Sequence, residues 1–347
     1  MKVSRWVTLA TIGLVAIILA AGGALVRSGS APAAHKAGFT AALVSDIVGF
    51  NDNGFNKNQL KGLNAAIKKV GGTAIPLVSH ATSDYAPNFN TAIRKGSNIV
   101  VAAGFLLANT EATYAKKFPN VKFAITDYTV HAPPFADKKG NPLYKNVEGI
   151  TYAANESGCL VGILAAKMAQ KMGSKVIGAV GGLKIPPVDI WIAGYKYCAN
   201  KAVPGTKLEL AFSNDFGAAD KCQTVAQNEI AKGAKVIFQV AGGCGLGALK
   251  AADAAKVWGI GVDSDEYNDA KRVLTSATKH TDTGVYDTVT QAAAGQFKGG
   301  TDLVFNLQNN GVGVGRINPS VPKAWVTLMN SYRAKIIAGT FKVPSAL

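Results

Sequence analysis

Short apolar runs alternate with helical patterns along nearly the whole chain, and each run stops at a polar or glycine-rich turn. "FTAALVSD" reads as a strand, and Leu60, Leu63, Ile67 and Val70 then recur at spacings of three and four, the apolar face of one helix closed by Gly71-Gly72. "AIPLVS", "NIVVAAG" and "VKFAITD" are further strands, separated by helices over "NFNTAIRKG" and Leu106 to Lys117. Residues 131–146, with three prolines and several charges, read as a surface loop. Such an alternation predicts parallel sheets covered by helices, an α/β class, with ligands held at the carboxyl ends of the strands.

A second series opens at "NVEGITYAANESGCLVGILAAKMAQ". Its strands are "KVIGAVGG", "KLELAFS", "KVIFQVAGG" and "VWGIGVDSD", with helices over 187–200, 218–232 and 246–256. The tail holds a strand from Asp302 to Leu307, a glycine-rich turn and a last helix. The chain's 347 residues suffice for two lobes, each a doubly wound sheet, facing each other across a cleft.

The N-terminus bears on the compartment. "MKVSR" is basic, Trp6 to Val26 carries no charge, and Ala31-Pro32-Ala33 has the small residues of a cleavage site. Residues 1–33 read as an export signal, cut after about Ala33, although the apolar run is also long enough for an uncleaved membrane anchor. Either way the remainder is expected outside the cytoplasm, on the periplasmic side or outer face of the cell membrane. The formal charge of +16 is scattered through helices and turns without a basic-aromatic stripe, which points to a solvated basic surface and away from nucleic acid. Cys159, Cys198, Cys222 and Cys244 form an even set in an oxidising compartment, with all three full pairings open. They lack C-x-x-C spacing and the four histidines are isolated, so no metal site is expected.

Gly243, Gly245 and Ala248 match G-x-G-x-x-A between a strand and a helix, with Asp263 about 20 residues on. That spacing suits a dinucleotide, but tight strand-to-helix turns need glycine in any case, and no cofactor is expected. No nucleophile motif is visible, and the chain does not read as an enzyme.

"VSDIVGFNDNGFN", "VKFAITD", "GITYAANESGCLVGILAAKMA", "VIFQVAGGCGLGALKAAD", "GIGVDSDEYN" and "VLTSATKH" occur in the order found in the basic-membrane-protein (BMP) family, and the chain resembles that family over about residues 39–345. These are purine-nucleoside-receptor-like solute-binding proteins of ABC importers. The resemblance implies the type I periplasmic-binding fold, with three hinge crossings and a ligand enclosed between two lobes. It implies a permease and an ATPase as partners, with membrane association through the N-terminus a further option. Lobe 1 is expected over 38–149 plus about 266–300, and lobe 2 over 150–265 plus about 301–347.

The resemblance also implies roles. Asp46 matches an acidic ligand contact, Phe55 an aromatic stacked on a base, and Asp127 a carboxylate on the base edge. Phe216, with Trp191 as the alternative, matches the opposing aromatic; Gly242 matches a backbone contact to the sugar, Asp263 a carboxylate on ribose hydroxyls, and Lys279 a further sugar contact. Ile47 stands where the family's nucleoside receptor carries an amide, which leaves a free sugar or other small polar metabolite as an alternative ligand. A membrane-anchored ligand-sensing domain without a transporter is the other alternative. Each residue has a plainer reading too: Phe55 as a staple of its own helix, Asp46 and Asp263 as caps, Lys279 as a solvated charge, Phe216 as lobe core.

Overall fold

The computed structural model describes residues 38–347 except Asn53, so the expected signal or anchor over 1–33 lies outside the described residues. The chain opens with β1 (Thr40–Val44), α1 (Phe55–Val70), β2 (Thr73–Leu77), α2 (Tyr85–Arg94), β3 (Ile99–Ala102), α3 (Ala108–Lys117), β4 (Lys122–Thr126) and β5 (Val147–Tyr152). Next come α4 (Ala154–Lys171), β6 (Val176–Gly181), α5 (Pro186–Ala202), β7 (Lys207–Phe212), α6 (Ala219–Ala231), β8 (Val236–Val240), α7 (Gly245–Ala254), β9 (Trp258–Asp263) and β10 (Val273–Lys279). The last elements are α8 (Thr281–Ala293), β11 (Asp302–Phe305), β12 (Val312–Val314) and α9 (Lys323–Ile337).

The strands form two six-stranded sheets, ordered β11-β5-β4-β3-β1-β2 and β12-β10-β9-β8-β6-β7. Every pairing is parallel except that of β12 with β10. The central strands are buried on both faces, as parallel sheets between helices must be: β3 and β8 are buried at every residue. These are the two parallel, helix-covered sheets of the type I fold.

Strand pairing moves the expected lobe boundaries. β10 lies in the second sheet beside β9, not in lobe 1, and β11 lies in the first sheet beside β5, not in lobe 2. The chain therefore crosses between lobes near Ala153, His280 and Asn306. All seven residues of β10 are buried, which explains why the strand completes the second sheet before the chain returns.

Lobe 2 is fastened more tightly than lobe 1. Its α4 and α5 pack backbone to backbone: a methyl group added at Gly158, Gly162 or Gly194 would fall within 2.3 Å of a carbonyl oxygen on the facing helix. Cys159 bridges Cys198 across that same contact, and Cys222 bridges Cys244, so one of the three possible pairings is realised. Each closed loop removes chain entropy from the unfolded state, worth about 2–4 kcal/mol in the chain-entropy account. Both bridges lie within lobe 2.

Candidate functional site

All eight residues singled out from the sequence line one cleft between the lobes, with about 630 Å³ of empty space partly open to solvent. The topology brings them there, because carboxyl ends of parallel strands converge at the cleft. Asp46 follows β1, Asp127 follows β4, Gly242 follows β8, and Asp263 and Lys279 end β9 and β10. Phe55 starts α1, Trp191 lies on α5, and Phe216 sits in the loop after β7.

Lys279 occupies the centre. Its side chain is 3% exposed, which removes the reading of a solvated charge. Its ammonium donates to Asp127 Oδ2 at 2.6 Å and forms an ion pair with Asp263 Oδ1 at 3.4 Å. Burial opposes that charge, but the two carboxylates outweigh it and hold the lysine above its ordinary pKa. Burial likewise pushes the Asp127 carboxyl up, with Lys279 pulling it back. Asp127 and Asp263 both adopt left-handed backbone, with φ of 60° and 61°. Aspartate tolerates that region better than most residues, yet two such positions aimed at one ammonium mark a site held in place by its surroundings.

The aromatic walls are seated on glycines. A methyl group on Gly104 would lie 3.0 Å from the Phe55 ring, and one on Gly182 would lie 2.3 Å from the Phe216 ring. The Phe55 carbonyl accepts bonds from the Thr281 hydroxyl and the Gln59 amide, so its backbone is pinned as well. Lys279 Nζ stands 4.7 Å from the Phe55 ring centre and 5.5 Å from that of Trp191. Trp191 is buried, edge-on to Phe238, with one side toward the cleft. Both proposed opposing aromatics thus reach the cavity.

The acidic wall of lobe 1 is larger than the sequence suggested. Asp46 accepts bonds from the Val48 N–H at 2.9 Å and the Asn56 side chain at 2.7 Å, yet burial pushes its carboxyl up to about 6. Asp52 also lines the cleft and was not singled out. It caps α1 by accepting the N–H groups of Asn56 and Lys57, and burial pushes it up to about 7, with Asp46 and Asp263 adding to the rise. Its signal was present in "NDNGFN", an Asp just ahead of an amphipathic helix. Phe105, Ile185, Pro187 and Val188 were missed too, because nothing local in a turn or at the start of a helix tells which apolar residue faces a cleft. Ile47 is among the exposed apolar residues and not among those lining the cleft, so its side chain supplies no contact where the amide was expected.

The G-x-G-x-x-A turn has a packing role. A methyl group on Gly245 would strike Gln239, and one on Gly247 would strike the Ala219 carbonyl of α6. Gln239 accepts the Ala241 N–H and donates to Glu266, which fastens the Gly242–Gly243 turn to the end of β9. Glu266 is pushed up to about 8 by burial. Among the described residues no group of His, Cys, Asp and Glu is placed to hold a metal ion.

The lobes meet directly over this cleft. Asn58 of α1 donates to the Ser264 hydroxyl at 3.0 Å, and Gly54 lies against Asp263 and Ser264. Closed lobes that share a buried ion pair suit a protein that encloses a small polar molecule.

The family of ABC transporter substrate-binding proteins described as Bmp, PnrA-like, matches residues 39–346. The chain belongs to the Bmp family. It is 30% identical to the ABC transporter nucleoside-binding protein BmpA of Lactococcus lactis, over 98% of this chain and 99% of that protein. It is 32% identical to a CD4+ T-cell-stimulating antigen of Listeria monocytogenes, over 88% of each. An ABC transporter solute-binding protein from Aeropyrum pernix has the same fold, with a TM-score of 0.77 and 23% identity, over 88% of this chain and 94% of that one. The chain is thus an ABC transporter substrate-binding protein, of a family that acts outside the cytoplasm with permease and ATPase subunits. No helix among the described residues is long and apolar enough to cross a membrane.

Proposed function

We propose that this substrate-binding protein captures a nucleoside, a purine nucleoside foremost, and presents it to its permease. One observation carries the reading: Phe55 of lobe 1 faces a cleft whose other wall holds Phe216 and Trp191, with Asp127, Asp263 and Lys279 between them. A nucleoside offers two flat faces, a polar base edge and a vicinal diol. Stacking contributes about 1–3 kcal/mol per base, and a carboxylate accepting diol hydrogens about 1.5–3 kcal/mol. The name of the Lactococcus relative points the same way. An aromatic on each lobe makes binding favour closure, since only closed lobes complete the sandwich.

In this reading Asp127 takes the base edge, while Asp263 and Lys279 take the sugar. Asp263 Oδ1 is buried and, beyond the long 3.4 Å ion pair with Lys279, has no hydrogen bond among the described residues, which leaves acceptor capacity for a hydroxyl. Calorimetry with guanosine, inosine, cytidine, 2′-deoxyguanosine and free ribose tests this. Purine ribonucleosides are expected to bind tightest, and Asp263→Asn to cost ribonucleosides more than their 2′-deoxy forms. Tight binding of ribose with none of guanosine would replace the nucleoside by a sugar.

A further inference from the structure

The end of lobe 1 that points away from the cleft is strongly one-signed. In a parallel sheet every strand starts at the same end, where the preceding helices finish. The segments that meet there, residues 67–73, 92–99, 114–122, 144–148 and 294–302, carry Lys69, Lys95, Lys116, Lys117, Lys145 and Lys298, all exposed. They hold two acids. Glu148 is buried, and Asp302 is occupied by the Thr129 hydroxyl and the Val130 N–H. Asp137, in the loop leading to this end, is engaged by Asn141 and followed by Lys138 and Lys139.

Two further features coincide with it. Leu143 is 56% exposed and lines a shallow depression with Lys116, Pro119, Tyr144 and Lys145. The described chain also enters here: Thr40 pairs with Thr73, and its N–H bonds the Asn98 side chain. The segment ahead of it in the sequence contains the uncharged run Trp6 to Val26.

We propose that this end of lobe 1 is an electrostatic docking surface for an anionic lipid bilayer. Lysines near an anionic leaflet are attracted to its headgroups, and an exposed leucine among them suits the interface between headgroups and chains. β1, five residues long, separates this end from the cleft, so docking leaves the ligand site clear. The corresponding end of lobe 2 is comparably basic, with exposed Lys171, Lys175, Lys201, Lys207, Lys256 and Lys271, but it has neither the chain entry nor an exposed leucine beside its lysines. Last-turn lysines also complement helix dipoles. That role stabilises the fold and predicts no attraction to lipid.

The chain from His35 onward carries both sheets and both disulfides in one compact unit, so it can be tested without the apolar run. It is expected to sediment with phosphatidylcholine vesicles containing phosphatidylglycerol, not with pure phosphatidylcholine, and to be released by salt. At about fivefold per lysine, Lys95→Gln with Lys116→Gln and Lys145→Gln should lower partitioning about 100-fold with an unchanged melting temperature. The matched lobe 2 set, Lys207→Gln with Lys256→Gln and Lys271→Gln, should change it far less. Equal losses in both sets, or equal binding to neutral vesicles, would overturn the proposal. So would a lobe 1 set that keeps its vesicle binding but loses retention on a soluble anionic polysaccharide, which would assign the face to polymer.

Discussion

The two lobes share one architecture and divide the cleft unequally. Lobe 1 brings Phe55 and three carboxylates, Asp46, Asp52 and Asp127, and among the described residues it has no disulfide. Lobe 2 brings Phe216, Trp191, Asp263 and Lys279, the one cation among the described residues lining the cleft, and both disulfides. Asp127 on one wall depends on an ammonium supplied by the other, while Asp46 and Asp52 are held by the N–H groups around them. Charge balance in the cleft is therefore a property of the closed molecule, not of either lobe, and the stapled lobe is the one that presents the cation.

The sharpest way to break that asymmetry is Lys279→Met. Removing one partner of a buried ion pair costs about 3–5 kcal/mol, because Asp127 is left buried without its counter-charge. The melting temperature should fall and nucleoside binding should be lost in calorimetry; a variant that binds as before would show that the two lobes are not linked through this residue. The disulfides come next. Replacing either pair by serine should lower stability by about 2–4 kcal/mol in denaturant melts. Only loss of Cys222–Cys244 should also weaken ligand binding, since the Cys244 N–H bonds the Phe216 carbonyl beside the Gly242–Gly243 turn. Equal binding by both disulfide variants would separate the staple from the site.

The aromatic walls sharpen the comparison further. Phe55→Ala and Phe216→Ala should each weaken guanosine binding by about 1–3 kcal/mol with little change in the melting temperature of the empty protein. If Phe216→Ala leaves affinity intact, Trp191 is the facing aromatic. A smaller effect is the pH dependence of stability. Asp46 and Asp52 of lobe 1, at about 6 and about 7, and Glu229 and Glu266 of lobe 2, at about 8, all lie above their unfolded values because burial favours the neutral acid. The folded chain then holds more protons than the unfolded one, so each contribution is full below the ordinary carboxylate value of about 4, and stability declines as pH rises from there through about 8. Thermal melts across that range should show the decline, the earlier part flattened by Asp52→Asn and the later part by Glu266→Gln.

Much of this was legible in the sequence because parallel sheets write a simple code. A buried apolar run ending in Asp, as in "FAITD" and "GIGVD", places a carboxylate at the cleft rim whatever the loops do. What stayed hidden depended on contacts far apart in sequence. The exchange of β10 and β11 between sheets is set by pairing with β9 and β5, which no local pattern encodes. Asp52, which was not singled out from the sequence, caps α1, and its second place in the cleft wall comes from how β1 presents the loop. The pairing of Lys279 with Asp127 spans 152 residues and needed the closed lobes to appear.

The central claim is that the ligand completes a clamp split between the lobes, and a crystal structure with guanosine bound tests it most directly. The account predicts the base between Phe55 and an aromatic of lobe 2, the ribose hydroxyls on Asp263, and Lys279 turned from at least one carboxylate toward the sugar. Guanosine bound to one lobe only, or seated away from Phe55 with the Lys279–Asp127 pair undisturbed, would contradict it.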